Sequence, residues 1–381
     1  MITRMPPSSK RRKWGIAAAL LLAAVALYHP LSNLIYAARL ALVLQRQASG
    51  ATGEKFAVTE MKVRRQAGNL SYEALIYFPE KKPATRALIL VAGLSELGCY
   101  HPSLVAFSRL MANAGFLVVT PDIEMFREFQ ISAEPIGQIL FWHNQVGSLE
   151  GSQRVEKTGL GGISFSGTLI LMAAAKPEIR DRVAFVFGIG PYSNLVRCSR
   201  DWFAPGPVTV SEGYYPTRFY AKWIVMLGAL NLLPAAEDRL FLRSVLNALL
   251  LQKQVPQPAP GMTAEGARWY RLATLRQDQS DPELSRQIEE YLFLSVYHEL
   301  DPEDSLGRLR GPVFLLHGAY DDLIPPSESM ELHRRIPRSY LLISPFLTHT
   351  HPSEKRLSLW QKAKAVFEAV VFCYQLARVI R

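Results

Sequence analysis

Short apolar runs separated by longer stretches of helical character constrain this chain most. Arg86–Ala92 (RALILVA), Phe116–Thr120 (FLVVT), Val183–Ile189 (VAFVFGI) and Pro312–His317 (PVFLLH) are continuous rather than alternating, the mark of strands covered on both faces. Thr158–Ile163 reads as another strand, and Tyr340–Ser344 as the last. Helical stretches lie between them: one with Pro102 near its start and Gly115 just past its end, one over Pro135–Ser148, one from about Ser166 to Ala175, and one near Pro326–Ile336. A final amphipathic helix is predicted over Leu357–Ile380. Strand–helix alternation implies a parallel sheet with right-handed crossovers. Ahead of it, Phe56–Gln66 and Leu70–Phe78 flank Ala67-Gly68-Asn69 and read as an antiparallel hairpin. The expected class is α/β, a mostly parallel central sheet with flanking helices.

The alternation breaks over residues 191–308, which hold Trp202, Tyr214, Tyr215, Trp223 and Trp269 and several amphipathic stretches. An unstructured loop of that length is improbable inside a domain, so the segment is read as a helical insertion. Pro256, Pro258 and Pro260 mark a linker within it, and the nearly apolar run Phe219–Leu233 is read as its core in preference to a lipid contact. The organisation expected is a basic amino terminus with anchor or signal (1–48), the first part of the core (49–190), a helical cap (191–308) and the second part of the core (309–381).

The formal charge of +10 suggests nucleic acid until it is located. Residues 1–48 carry seven basic side chains and no acid, which leaves 36 Lys and Arg against 33 Asp and Glu in the rest. A body so nearly balanced has no phosphate-binding footprint. The basic cluster Lys10-Arg11-Arg12-Lys13 instead precedes Trp14–Ala38, a stretch without formal charge. As a helix it would rise about 37 Å, against a hydrocarbon core of about 30 Å. The expectation is a single-pass membrane helix with its amino terminus cytoplasmic and the folded domain extracytoplasmic. Cleavage at Ala24-Val25-Ala26 as a signal peptide is the alternative, giving a secreted or periplasmic domain. Three cysteines without CxxC spacing exclude a disulfide scaffold and a cysteine zinc site.

Chemistry concentrates in three places. Gly161-Gly162-Ile163-Ser164-Phe165-Ser166-Gly167 lies between a predicted strand and a predicted helix, where a serine is forced into a strained turn with its hydroxyl above the sheet. His317-Gly318-Ala319-Tyr320-Asp321-Asp322 follows a late strand, and either aspartate can orient an imidazole from there. Thr348-His349-Thr350-His351 follows the last strand. His-x-His can begin a metal site, but the other histidines form no second cluster at ligand spacing, so no metal and no cofactor is expected. The order serine, acid, histidine separates this arrangement from two other well-known triad folds. His143, isolated in a predicted helix, is read as packed or solvated.

These motifs, with Ala92-Gly93-Leu94 after a buried strand, resemble the α/β-hydrolase superfamily over about residues 56–381. The resemblance selects Asp321 over Asp322 and His349 over His351, makes His317 structural, and gives a triad of Ser164, Asp321 and His349. It assigns the oxyanion donors to the backbone N–H groups of Leu94 and Phe165. Two departures stand out: AG replaces the usual HG at 92–93, and Ser166 replaces the second flanking glycine. Cys99 and Tyr100 lie near this turn, with packing the expected role. The implied activity is a serine hydrolase acting on a small-molecule or lipid-like carboxylic ester. An amidase, thioesterase or acyltransferase would use the same triad, and a catalytically silent scaffold of the same fold is the contrasting possibility.

Overall fold

The computed structural model describes residues 56–80, 83–203, 217–258, 260–274, 281–349 and 356–380. The segment read as a membrane anchor or signal therefore lies outside the described residues, as do Tyr214, Tyr215 and His351. Among the described residues no helix is long and apolar enough to cross a membrane.

The hairpin forms as β1 (Val58–Ala67) and β2 (Leu70–Pro79), paired antiparallel from Val58 opposite Pro79 to Ala67 opposite Leu70. Six further strands follow: β3 (Arg86–Val91), β4 (Phe116–Asp122), β5 (Lys157–Ile163), β6 (Val183–Ile189), β7 (Val313–Gly318) and β8 (Ser339–Ser344). They make one sheet in the order β1-β2-β4-β3-β5-β6-β7-β8, parallel from β4 through β8. β2 meets β4 antiparallel. The chain leaves β3 toward β4 on one side and leaves β5 toward β6 on the other. Adjacent strands whose connections diverge open a crevice at their carboxyl ends. The turns after β3 and β5 both border it.

Period-two alternation explains why the central strands are apolar throughout. Ala87, Ile89 and Val91 of β3 join one core, together with Leu117 and Val119 of β4. Leu88, Leu90, Phe116 and Phe187 are equally buried outside it. Phe187 stacks on Phe107 at 6.3 Å, from helix α1 (Pro102–Asn113). Helix α2 (Pro135–Gln145) packs on β3 and β4, and on α3 (Phe165–Ala174). All ten residues of α3 are buried, so this helix is apolar on every side and central to the domain.

Between β6 and β7 the chain builds helices: α4 (Leu195–Phe203), α5 (Thr217–Gly228), α6 (Ala236–Leu250), α7 (Ala264–Thr274) and α8 (Pro282–Ser295). In the run 219–233, Ala221 and Trp223 through Leu227 are buried. Helix α5 is fixed to the end of α7 by polar bonds, Trp223 Nε1 to the Ala273 carbonyl (2.9 Å) and Lys222 Nζ to the Leu272 carbonyl (2.8 Å). Trp202 of α4 donates to the Leu323 carbonyl at 2.6 Å, just beyond β7. Helix α9 (Pro326–Arg335) packs against β7 and β8.

The chain divides into two compact units, and residues 47–356 form one of them. The other includes α10 (Leu359–Ile380), which buries Phe372, Cys373, Leu376 and Ala377 and leaves Leu359, Trp360 and Phe367 exposed.

Candidate active site

Ser164 occupies the turn between β5 and α3 with φ of +59° and ψ of −127°. A non-glycine residue in that region is strained, and such strain persists only where the surroundings over-determine it. They do so here. The Ser164 N–H donates to the Ile189 carbonyl at 2.7 Å, and Gly167 N–H donates to the Ser164 carbonyl at 2.9 Å. A Cβ on Gly162 would lie 2.6 Å from the Ser166 carbonyl oxygen, so nothing larger than glycine lets strand and helix pass this closely.

Ser166 departs from the usual glycine at its position, and its side chain compensates. The hydroxyl is fully buried, accepts from the Ile163 N–H at 2.9 Å, and lies 3.0 Å from the carbonyls of both Val91 and Ile163. Its one proton joins the serine turn either to itself or to the end of β3.

His349 arrives on the loop after β8. His349 Nε2 lies 2.8 Å from Ser164 Oγ, and His349 Nδ1 lies 2.7 Å from Asp321 Oδ2. The carboxylate only accepts, so Nδ1 carries the proton and Nε2 accepts from the serine hydroxyl. This is the tautomer of a general base. The loop comes this near because Gly318, the last residue of β7, has no side chain. A Cβ there would sit 2.1 Å from the Thr348 carbonyl oxygen.

Asp321 is 7% exposed and fully engaged. Oδ1 accepts from the N–H groups of Leu323 (3.0 Å) and Ile324 (2.9 Å). Oδ2 receives His349 Nδ1 and faces His317 Nε2 at 3.2 Å. Burial alone would raise its pKa. The His349 ring and the His317 hydrogen bond outweigh that, and hold the carboxyl well below the usual carboxylate range. His317 itself is fully buried; Nε2 donates to the Ile324 carbonyl (2.8 Å), and Nδ1 lies 2.6 Å from Ser329 Oγ. It braces the acid and stays away from the serine.

Of the residues singled out in the sequence, Ser164, Asp321 and His349 are brought together, while Asp322 is exposed. Phe165 is the first residue of α3, where a helix leaves N–H groups unpaired and carries positive potential. Leu94 is half-buried in the turn after β3. A Cβ on neighbouring Gly93 would lie 3.4 Å from that of Ser164, so this turn adjoins the serine. Cys99 is buried as a neutral thiol, its pKa pushed up to about 12 by desolvation. Tyr100 is exposed. His143 is packed in α2, and burial, with the Arg182 charge, pushes it down to about 4.

Sequence reasoning missed Glu328. Only 1% exposed, it accepts from the Ser193 N–H and hydroxyl, the Asn194 N–H and Arg197 Nε at 2.6–2.9 Å. It thereby clamps the loop after β6 to the start of α9. Nothing local distinguishes this glutamate from a surface residue of an amphipathic helix.

No protein-family model and no curated protein matches the chain. Among solved structures, it is similar to Est1E from Butyrivibrio proteoclasticus at 15% identity and a TM-score of 0.44, over 81% of this chain and 99% of that one. It is similar to 2,6-dihydroxy-pseudo-oxynicotine hydrolase at 16% identity and a TM-score of 0.49, over 94% and 84%. It is also similar to 2-hydroxy-6-oxo-6-phenylhexa-2,4-dienoate hydrolase from Rhodococcus sp. strain RHA1 at 19% identity and a TM-score of 0.41, over 82% and 99%. The chain's own sheet carries a serine turn after β5, an acid after β7 and a histidine after β8, in the order of the α/β-hydrolase fold. The fold is α/β.

Proposed function

We propose that this chain is a serine hydrolase that cleaves a carboxylic ester through an acyl-enzyme. One observation carries the reading: an unbroken hydrogen-bond chain from Ser164 Oγ through His349 to Asp321, at 2.8 and 2.7 Å. Ser164 attacks the acyl carbonyl while His349 Nε2 takes its proton, and Asp321 stabilises the imidazolium that forms. The carbonyl oxygen becomes an oxyanion facing the Leu94 and Phe165 N–H groups, and a single such donor is worth roughly 3–4 kcal/mol. The proton on Nε2 passes to the departing alkoxide. Water, deprotonated by the same nitrogen, then attacks the acyl carbon and releases the acid and the serine. No cofactor enters this scheme.

The helices between β6 and β7 serve in this reading as a cap that shapes the site and excludes water. The segment 14–38 serves as a membrane anchor, which suits lipid-like esters. Arginines at Leu21 and Leu22 would each cost roughly 2.5–3.5 kcal/mol at a helix centre. The double substitution is therefore expected to move the full chain into the carbonate-soluble fraction; retention with the membrane pellet would count against the anchor.

The catalytic reading is tested on the serine. Ser164→Ala is expected to abolish labelling by a fluorophosphonate and turnover of short p-nitrophenyl esters, with the far-UV spectrum unchanged. Labelling that persists in that variant would refute the assignment.

A further inference from the structure

The turn after β3 is held from three elements. The Ser166 hydroxyl reaches the Val91 carbonyl (3.0 Å), the Ser95 N–H donates to the Phe126 carbonyl (3.1 Å), and the Tyr220 hydroxyl donates to the Leu94 carbonyl (3.2 Å). The last two bonds grip opposite sides of one peptide unit, Leu94–Ser95. A peptide unit is planar, so one held by both its oxygen and its N–H cannot turn without breaking a hydrogen bond. The preceding unit, Gly93–Leu94, shares the Leu94 Cα and carries the Leu94 N–H, which has no backbone acceptor among the described residues.

Tyr220 belongs to α5, 126 positions away in the chain. Its ring is braced edge-on by Phe129, with centroids 5.8 Å apart and planes at 85°. Phe129 is 5% exposed and has φ of +58°, a backbone conformation that bulky residues rarely adopt. It follows the same short helical turn, Glu124–Arg127, that supplies the Phe126 carbonyl. One strained loop thus supports both grips. Burial, and after it the Glu96 charge, pushes the Tyr220 hydroxyl well above its ordinary range, so it remains a donor.

We infer that Tyr220 is a positioning residue for the oxyanion site: by fixing the Leu94–Ser95 peptide, it keeps the Leu94 N–H aimed at the oxygen on which Ser164 develops charge. The inference rests on the serine-hydrolase reading above. It makes the helical insertion part of the catalytic apparatus as well as a cover. A side-chain strut from the insertion fixes the turn in which Ala92 stands where the superfamily usually has histidine. When α5 shifts, the strut is lost and the donor is loosened.

Tyr220→Phe removes the hydroxyl and keeps the ring against Phe129. Its kcat on a p-nitrophenyl ester is expected to fall about 10- to 30-fold, below the roughly 10²–10³-fold cost of losing a donor outright. KM should stay within about twofold, because the bond matters only as the oxyanion forms. Labelling of Ser164 by a fluorophosphonate, whose phosphoryl oxygen enters the same site, should slow by the same factor while the melting temperature holds. Unchanged kcat and labelling rate, or a rise in KM alone, would overturn the inference. Should Tyr220→Phe fail to fold, Phe129→Leu keeps the hydroxyl and frees the ring: a threefold or larger loss of kcat at constant KM supports the inference, and no loss overturns it. A wild-type chain that never takes the probe would remove the hydrolase reading and the inference together. Equal labelling of wild type and Tyr220→Phe would remove the inference alone.

Discussion

Replacing Asp321 with asparagine tests the site at its most constrained point. The carboxylate meets four donors, two backbone N–H groups at Oδ1 and two imidazole nitrogens at Oδ2. An asparagine has the same shape but only one acceptor oxygen. With that oxygen on the two backbone groups, its amide donates toward His349 Nδ1. The ring can accept there only by moving its own proton to Nε2, and Nε2–H cannot take a proton from Ser164. His317 keeps its bond to the Ile324 carbonyl, so the pocket need not collapse. The same loss of tautomer control in a serine protease costs about 10⁴ in kcat, equivalent to ~5.5 kcal/mol. A fall of that size in ester turnover is expected for Asp321→Asn, with Asp322→Asn, at an exposed position, within about twofold of wild type.

The same variant carries a pH signature. The folded carboxyl titrates below its unfolded counterpart, which has a pKa of about 3.9. As pH falls, the unfolded chain therefore takes up its proton first. The stabilisation from ionised Asp321 is complete above about pH 5 and is lost progressively as pH falls through the unfolded value toward the folded one. The melting temperature of wild type should exceed that of Asp321→Asn at pH 7 and pH 5, and the gap should narrow below pH 4. A gap independent of pH, or a variant retaining more than a tenth of wild-type kcat, would refute the reasoning.

Two other positions give separate tests. Gly318→Ala places a methyl group 2.1 Å from the Thr348 carbonyl oxygen, so the loop bearing His349 must retreat by about 1 Å. Misplacement on that scale costs about 10²-fold, to be read as kcat with the fold checked by circular dichroism. Glu328→Gln can keep its one oxygen on the Ser193 and Asn194 donors but turns its amide toward Arg197, losing the charge-assisted bond there. A loss of about 1.5–3 kcal/mol in urea unfolding is expected, and a loss below 0.5 kcal/mol would mean the clamp is unimportant.

What the sequence disclosed follows from where the information sits. Val183–Ile189 is a strand with the predicted limits because an apolar run rich in β-branched and aromatic residues between turn signals leaves little choice. The hairpin, the parallel strands and the helical nature of the 191–308 segment were legible for similar reasons of periodicity. Ser164 was legible because a sharp turn between strand and helix demands small neighbours around a strained serine, whereas His317 and His349 took their places from the superfamily pattern. Choosing Asp321 over Asp322 needed the superfamily pattern, since both stand in one loop and only the fold decides which turns inward.

Glu328, Tyr220 and Phe129 were invisible for the complementary reason. Each acts across more than 80 residues of chain or through a backbone angle, and periodicity records neither. Tyr220 sits within an apolar run, and the sequence assigns it with that run to the core. That reading is accurate for its ring and silent about its hydroxyl. The residues that sequence reveals are thus those at the turns after β5, β7 and β8 to which the proposed chemistry is assigned, whereas those joining the inserted helices to these turns emerge only with the fold. Gly190, in the loop that Glu328 clamps, shows why the joining matters. A Cβ at this position would lie 3.6 Å from Asp321 Oδ2 and 3.8 Å from His349 Nδ1, so the loop forms a wall of the acid–base pair. Slackening the clamp should therefore reach the imidazole as well as the stability curve, and kcat measured on Glu328→Gln below its unfolding transition separates the two effects.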